Sequence, residues 1–250
     1  MKIATIKQMK GKSKITVLTA YDYPTANFLE QEEIDIILVG DSLGNVVLGY
    51  DSTKEVTMKD MIRHTQAVRN GATKSLIVAD MPYGSDETPI MALENAKKLI
   101  EAGADSVKVE GNPEAVEFLV DNNIKVMAHI GHLPQTADKP MVHKELEPLL
   151  KEAKELEKAG AFAIVLELVK SDVAKEITKS LKIPTIGIGA GKDCDGQVLV
   201  INDILGLYDK FTPKFVKKYA NLAEETKKAV KKYISEVKSE KFPDEEHSFQ

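Results

Sequence analysis

Tryptophan is absent from this chain, cysteine occurs once, and aromatic residues make up only 6% of its 250 positions. The single cysteine, Cys194, excludes an internal disulfide and any multi-cysteine metal site. Set in the polar loop KDCDG, it reads as a spectator thiol ahead of a nucleophile. With no disulfide framework, the expected location is the cytoplasm. Long apolar runs are missing too. None approaches the roughly 20 residues that span a bilayer, and the N-terminal MKIATIKQMKGKSK has no apolar signal-peptide core. A surplus of positive charge is missing as well: 34 basic residues face 39 acidic ones, for a net charge of −5. Without a basic face or aromatics interleaved with basic residues, a nucleic-acid partner is not expected, nor is a membrane.

What is present is a soluble globular composition, 43% apolar and 29% charged. Short Val/Ile/Leu-rich runs alternate with segments of helical period. The predicted strands are Ile15–Ala20, Asp35–Gly40, Ser75–Asp80, Ser106–Glu110, Lys125–His129, Phe162–Glu167, Thr185–Gly189 and Val198–Asn202. Several are apolar almost throughout, as parallel strands covered on both faces are. The predicted helices are Tyr23–Gln31, Met58–Asn70, Pro89–Ala102, Pro113–Asn122, Lys144–Ala159 and Asp172–Leu181, with a long charged helix at about Pro213–Lys238. Pro89 and Pro113 suit a first helical turn, where the missing N–H costs least. The count favours a (β/α)₈ TIM barrel over an open doubly wound sheet. The expected organisation is one catalytic domain over residues 1–250, with a short N-terminal extension and a long C-terminal helix plus tail.

Most of these strands end in polar or glycine-rich residues: Asp22, Asp41-Ser42, Asp80, Lys108-Val109-Glu110, His129, Glu167, the run GIGAG (187–191) and Asn202-Asp203. In a barrel such endings converge on the face that carries active sites. A single Asp there is as readily a helix cap. Asp41, Asp80 and Glu110, however, close three consecutive strands and would repel one another without positive charge between them. A divalent cation with oxygen ligands answers that need, and Mg²⁺ suits few carboxylates plus water and substrate oxygens. Zn²⁺ is disfavoured by the spacing of the histidines, although His129 and His132 flank a turn; His129 reads better as a contact at the barrel mouth.

Lys108, two residues before Glu110, shares its side of the strand. It would bind a substrate carboxylate, form a Schiff base, or simply pair with an acid. Glu167 ends the apolar run AIVLE and reads as a general base or as a salt-bridged strand terminus. GIGAG reads equally as an anion cradle or as close packing. A metal beside a Lys with a base opposite suits proton removal next to the carbonyl of a small 2-oxo acid, through a Mg²⁺-stabilised enolate.

These residues lie within longer motifs: TAYDYPTA (19–26), LVGDSLG (38–44), GYDST with V-T (49–57), HTQAVRNGA (64–72), ADMPYG (79–84), ENAKKLIEAGADSVKVEG (94–111), IPTIGIGAG (183–191), DGQVLVINDILG (195–206) and FPDEEHSF (242–249). With them the chain resembles the ketopantoate hydroxymethyltransferase family almost end to end. The resemblance implies transfer of a one-carbon unit from 5,10-methylenetetrahydrofolate, or a related pterin, to 3-methyl-2-oxobutanoate. The product would be 2-dehydropantoate, in the first step of pantothenate and coenzyme A biosynthesis. It also implies Mg²⁺ on Asp41, Asp80 and Glu110, substrate contacts from Asp41, Ser42, Asp80 and Lys108, Glu167 as proton acceptor, and a ring-stacked homo-oligomer, commonly a decamer. The chain departs from the family pattern in the loop after Gln135, at His132, and at Leu168-Val169-Lys170. Lyases and mutases of the isocitrate lyase and phosphoenolpyruvate mutase group offer a rival reading, but they would carry a cysteine in a catalytic loop. A catalytically dead scaffold barrel would have no need for the whole acid set.

Overall fold

The computed structural model describes residues 2–137 and 139–249. It forms two compact units, Met1–Val200 and Ile201–Gln250. The first is a closed barrel of eight strands in sequence order. Its strands are β1 (Ile15–Thr19), β2 (Ile36–Val39), β3 (Leu76–Asp80), β4 (Ser106–Glu110), β5 (Val126–Gly131), β6 (Ala163–Glu167), β7 (Thr185–Ile188) and β8 (Gly196–Leu199). All pair in parallel, and β8 returns to β1 by setting Val198 against Val17. The helices α2 (Tyr23–Gln31), α3 (Met58–Gly71), α4 (Pro89–Glu101), α5 (Pro113–Asp121), α6 (Leu146–Lys158) and α7 (Ser171–Ser180) follow strands β1 to β6 in turn. The architecture is the α/β TIM barrel that the alternation of patterns predicts.

Alternation along each strand sorts its side chains. Ile15 and Val17, Ile36 and Leu38, Leu76 and Val78, Met127, Ala163 and Val165, Ile186 and Val198 form one buried cluster. Their neighbours Ile37, Val39, Ile77, Ala79, Val107 and Val109 are fully buried as well, beneath the helices, which is why these strands read as unbroken apolar runs. Pro89 and Pro113 open their helices behind Thr88 and Asn112, whose side chains accept hydrogen bonds from Met91 N and Ala115 N.

The N-terminal extension is itself a helix, α1 (Ile3–Met9), and its fully buried Ile6 joins the barrel's core cluster. Behind it, Lys10 Nζ donates to Asp195 Oδ2 at 2.8 Å and Gly11 N to Asp195 Oδ1 at 3.1 Å. Asp195 immediately precedes β8, so α1 closes the end of the barrel where the strands begin. At the same end Glu30 accepts from the backbone N–H groups of Thr73, Lys74 and Ser75 at 3.1, 2.6 and 2.9 Å. Burial works to raise its pKa, but these donors prevail and hold it at about 2.

Two boundaries differ from the sequence reading. The last strand is Gly196–Leu199, not Val198–Asn202, and the chain turns at once into the short helix α8 (Ile201–Ile204). The apolar run crosses that turn without a break, so periodicity leaves no mark of it. The long final helix, α9, spans Leu222–Lys238 and does not begin at Pro213. Within this second unit, Tyr219 N donates to Ile204 O at 2.7 Å and Leu222 N to Leu205 O at 2.9 Å. The segment before α9 thus spends its donors on the turn after α8, which keeps it out of a helix. On α9, Val230, Tyr233, Ile234 and Val237 follow helical spacing and are exposed. Among the described residues no helix is long and apolar enough to cross a membrane.

Replacing Ile6 by alanine leaves a cavity at the closed end, with an expected loss of about 2–5 kcal/mol in urea unfolding. A loss under about 1 kcal/mol would show that α1 is not part of the core. Glu30→Gln tests the acid clamp by pH. A carboxylate with a depressed folded pKa contributes stability above its unfolded value, and the contribution fades as pH falls through about 2. Wild type should therefore exceed Glu30→Gln in urea midpoint near neutrality, with the gap narrowing below about pH 4.5.

Candidate active site

Period two carries the inward phase of the core to the far ends of the strands. Leu76 and Val78 lead to Asp80, Ser106 to Lys108 and Glu110, Met127 to His129, and Ala163 and Val165 to Glu167. Register sets Asp80 beside Lys108 and Glu110 beside His129. On β2 the inward series Ile36, Leu38 ends at Gly40. A Cβ there would lie 2.8 Å from Ser42 Oγ and 3.6 Å from Asp80 Oδ2, so glycine keeps that space open. Asp41 and Ser42 begin the turn that follows, and Gly44–Leu48 continues as a π-helical turn, a rare geometry frequent at functional sites.

The polar side chains meet in a continuous array. Asp41 and Asp80 are buried, and Asp41 N donates to Asp80 Oδ2 at 3.0 Å. Lys108 Nζ lies 3.3 Å from Asp80 Oδ1 and 3.8 Å from Glu110 Oε1. His129 stands between two acids, with Nδ1 3.3 Å from Glu110 Oε1 and Nε2 3.3 Å from Glu167 Oε2. Nε2 makes an ion-pair contact there without hydrogen-bond geometry. Glu167 is therefore linked to the first three acids by one imidazole. Its surroundings are polar, not the apolar ones that AIVLE suggests. Gly131, opposite Glu167, takes φ 93° and passes so close to the Glu167 carbonyl that a side chain would not fit.

Electrostatics follow from this crowding. Burial, then Asp80, pushes Asp41 up to about 8. Asp80 is raised as well, chiefly by burial, against the pull of Lys108. Burial would lower Lys108, but Asp80, Glu110 and Asp41 hold its ammonium above the usual range. Burial also opposes the charge on Glu110, yet His129 keeps it at about 2. His129, disfavoured by burial and by Lys108, is carried to about 9 by Glu110 and Glu167. With every acid ionised, four carboxylates would face two cations, Lys108 and His129, an excess of two negative charges that the protein alone relieves through the raised pKa values of Asp41 and Asp80.

That surplus is the charge of one divalent cation. Asp80 Oδ1, buried and without a hydrogen-bond donor, offers a lone pair beside Asp41. Among the described residues no three His, Cys, Asp or Glu are gathered closely enough to cage a metal by themselves. Two adjacent carboxylates with open positions for substrate oxygens instead suit Mg²⁺, which binds through one or two carboxylates plus water and substrate.

The structure brings Asp41, Ser42, Asp80, Lys108, Glu110, His129 and Glu167 together and leaves other strand endings out. Asp22 caps α2, accepting from Thr25 N at 2.8 Å. Asn202 and Asp203 belong to α8. In GIGAG, a Cβ on Gly187 would meet Cys194 Sγ at 3.0 Å and one on Gly191 would meet Ser171 Cβ at 2.6 Å, which is close packing. Cys194 is fully buried, and burial pushes its thiol up, so it is a spectator.

Two residues escape sequence reasoning. Tyr21 hydrogen-bonds Ser42 Oγ through its hydroxyl at 2.8 Å, and its place just past β1 was the available signal. Gln135 donates from Nε2 to Asp41 Oδ2 at 2.8 Å. It sits in an irregular loop, where no periodicity marks it.

Comparison with known proteins places the chain. The profile of the ketopantoate hydroxymethyltransferase family matches residues 1–245. A 3-methyl-2-oxobutanoate hydroxymethyltransferase of Thermotoga maritima is 53% identical, over 100% of this chain and 96% of the relative. One from Enterococcus faecalis is 52% identical over 98% and 94% respectively. Among solved structures, a phosphonopyruvate hydrolase crystallised with oxalate and Mg²⁺ covers 98% of this chain and 92% of its own, with TM-score 0.65 and 13% identity. That likeness is one of fold. The array of inward acids, lysine and histidine sits in a chain that belongs to the ketopantoate hydroxymethyltransferase family.

Proposed function

We propose that this chain transfers a one-carbon unit from 5,10-methylenetetrahydrofolate, or a related pterin, to C3 of 3-methyl-2-oxobutanoate. With water supplying the hydroxyl, the products are 2-dehydropantoate and the free tetrahydro carrier, its ring oxidation state unchanged. The observation that carries the reading is the single inward layer that joins Glu167 through His129 to Lys108 and the acids, in a chain half identical to enzymes named for this reaction.

Lys108 is the one buried ammonium of the array and binds the substrate carboxylate, and Ser42, held by Tyr21, contacts the oxo acid beside it. Asp41 and Asp80 hold a divalent cation, Mg²⁺ by their oxygen donors, and Glu110 completes the site. When bound, the cation supplies a Lewis acid to the substrate's carbonyl oxygens. Glu167 accepts the proton from C3, and the carbon so exposed attacks the methylene carbon of the carrier. His129, between Glu110 and Glu167, fixes the direction of the base. Enclosure at the barrel mouth keeps water from competing with these contacts.

We also propose cytoplasmic action, consistent with the unpaired Cys194. A second copy of the chain would cover the apolar stripe of α9, giving a homo-oligomer. Light scattering that returns the monomer mass would overturn that last assignment.

The reaction reading is tested without any carrier. In D₂O with Mg²⁺, NMR should show the C3 proton of 3-methyl-2-oxobutanoate exchanging with solvent. Glu167→Gln should slow this exchange by about 10²–10⁴-fold while still binding the metal. Asp80→Ala should lose the Mg²⁺ dependence but keep the fold. Exchange at the wild-type rate in Glu167→Gln would assign the base elsewhere.

A further inference from the structure

Beyond the array already described, the loop after β5 makes a connection that the proposed chemistry does not use. Gln135 is buried, and its Nε2 donates both to Asp41 Oδ2 and to the Met81 carbonyl, each at 2.8 Å. The Met81 carbonyl can only accept, so it fixes which end of the amide is the N–H₂, and both N–H groups are then consumed. The backbone N–H of the same residue donates to Glu110 Oε2 at 3.2 Å. One residue thus ties together the chain just past β2, just past β3 and at the end of β4.

The rest of the loop is attached to the strand that carries Glu167. His132 N donates to Glu167 O at 2.9 Å. At the other end His143 N donates to Leu168 O, and Lys170 N to His143 O, each at 2.8 Å, forming an isolated parallel bridge. The loop therefore grips the acid side through Gln135 and the base side through His132 and His143. Among the described residues of the loop, only Gln135 is hydrogen-bonded to Asp41, and a rigid donor on one oxygen of a buried carboxylate fixes the direction of the other.

We propose that Gln135 is a positioning residue for the cation. It orients Asp41 as a ligand and makes order in the loop segment His132–Ala137 and occupancy of the Asp41/Asp80 site one linked event. The inference rests on reading Asp41 and Asp80 as the cation site. If they are linked, a cation that binds well only when Asp41 is correctly aimed must stabilise the loop contact that aims it, by the same free energy. A merely structural glutamine would stabilise the fold equally with and without the cation.

Mn²⁺ alone, added to the full chain, separates these cases. Isothermal titration should give an affinity 10–100-fold weaker in Gln135→Met than in wild type, the range typical of lost outer contacts to metal ligands. Methionine fills the volume but donates nothing. Gln135→Leu, which likewise fills the space and donates nothing, should weaken binding by a similar factor. Amide hydrogen exchange in 132–137 should slow on adding Mn²⁺ to wild type, and this protection should be lost in both variants. Equal Mn²⁺ affinity and equal Mn²⁺-induced protection in wild type and Gln135→Met would overturn the role of Gln135 while leaving the cation site standing. Failure of wild type to bind Mn²⁺ would overturn the cation site and the inference together.

Discussion

Four carboxylates cannot share a buried barrel mouth unless positive charge is threaded between them, and the layout of this site follows from that constraint. Lys108 reaches Asp80 and Glu110, and His129 reaches Glu110 and Glu167. Each cation serves two acids, so the array is continuous and its members are not independent. Burial makes every unpaired charge in it costly, and it is the two aspartates, left with half of one lysine, whose pKa values rise. The place that lacks positive charge in the protein is the Asp41/Asp80 pair, where the cation is proposed to bind.

The two ends of the barrel divide the work. At the closed end the carboxylates of Asp195 and Glu30 are satisfied by a lysine and by backbone N–H groups, and α1 seals the core with Ile6. Such groups add stability and offer nothing to a ligand. At the open end Asp41 and Asp80 are raised in pKa, and Asp80 Oδ1 has no hydrogen-bond partner. Function is drawn from the end where local stability is incomplete.

How much of this was legible in the sequence depended on whether a residue obeyed a period. Asp80 and Glu167 stand in phase with apolar residues two and four positions earlier, His129 with Met127, and Lys108 and Glu110 with the buried Ser106, so strand alternation brings them to one face. Asp41 lies one residue past the inward Gly40. It was found because a carboxylate after an apolar run is conspicuous, and that signal also raised Asp22, which turned out to be a helix cap. Gln135 and Tyr21 obey no period, since irregular backbone places them. The ends of β8 and the start of α9 were misjudged for a related reason: apolarity continues across the first boundary, and hydrogen bonds between segments distant in sequence decide the second.

Fold likeness alone would not have identified the chemistry. A phosphonopyruvate hydrolase shares this barrel at 13% identity, so the barrel is common to enzymes that break bonds as well as to those that form them. The lyase and mutase reading requires a cysteine on a loop at the mouth. The one cysteine here is packed against Gly187, near Thr178 and Thr185, in the β7–β8 connection at the closed end. Its burial counts against that alternative, because a thiol with no access to solvent has no substrate to meet. What remains at the mouth is a glutamate, a histidine, a lysine and two aspartates short of positive charge, and it is the sequence of the whole chain, not the barrel, that matches the family.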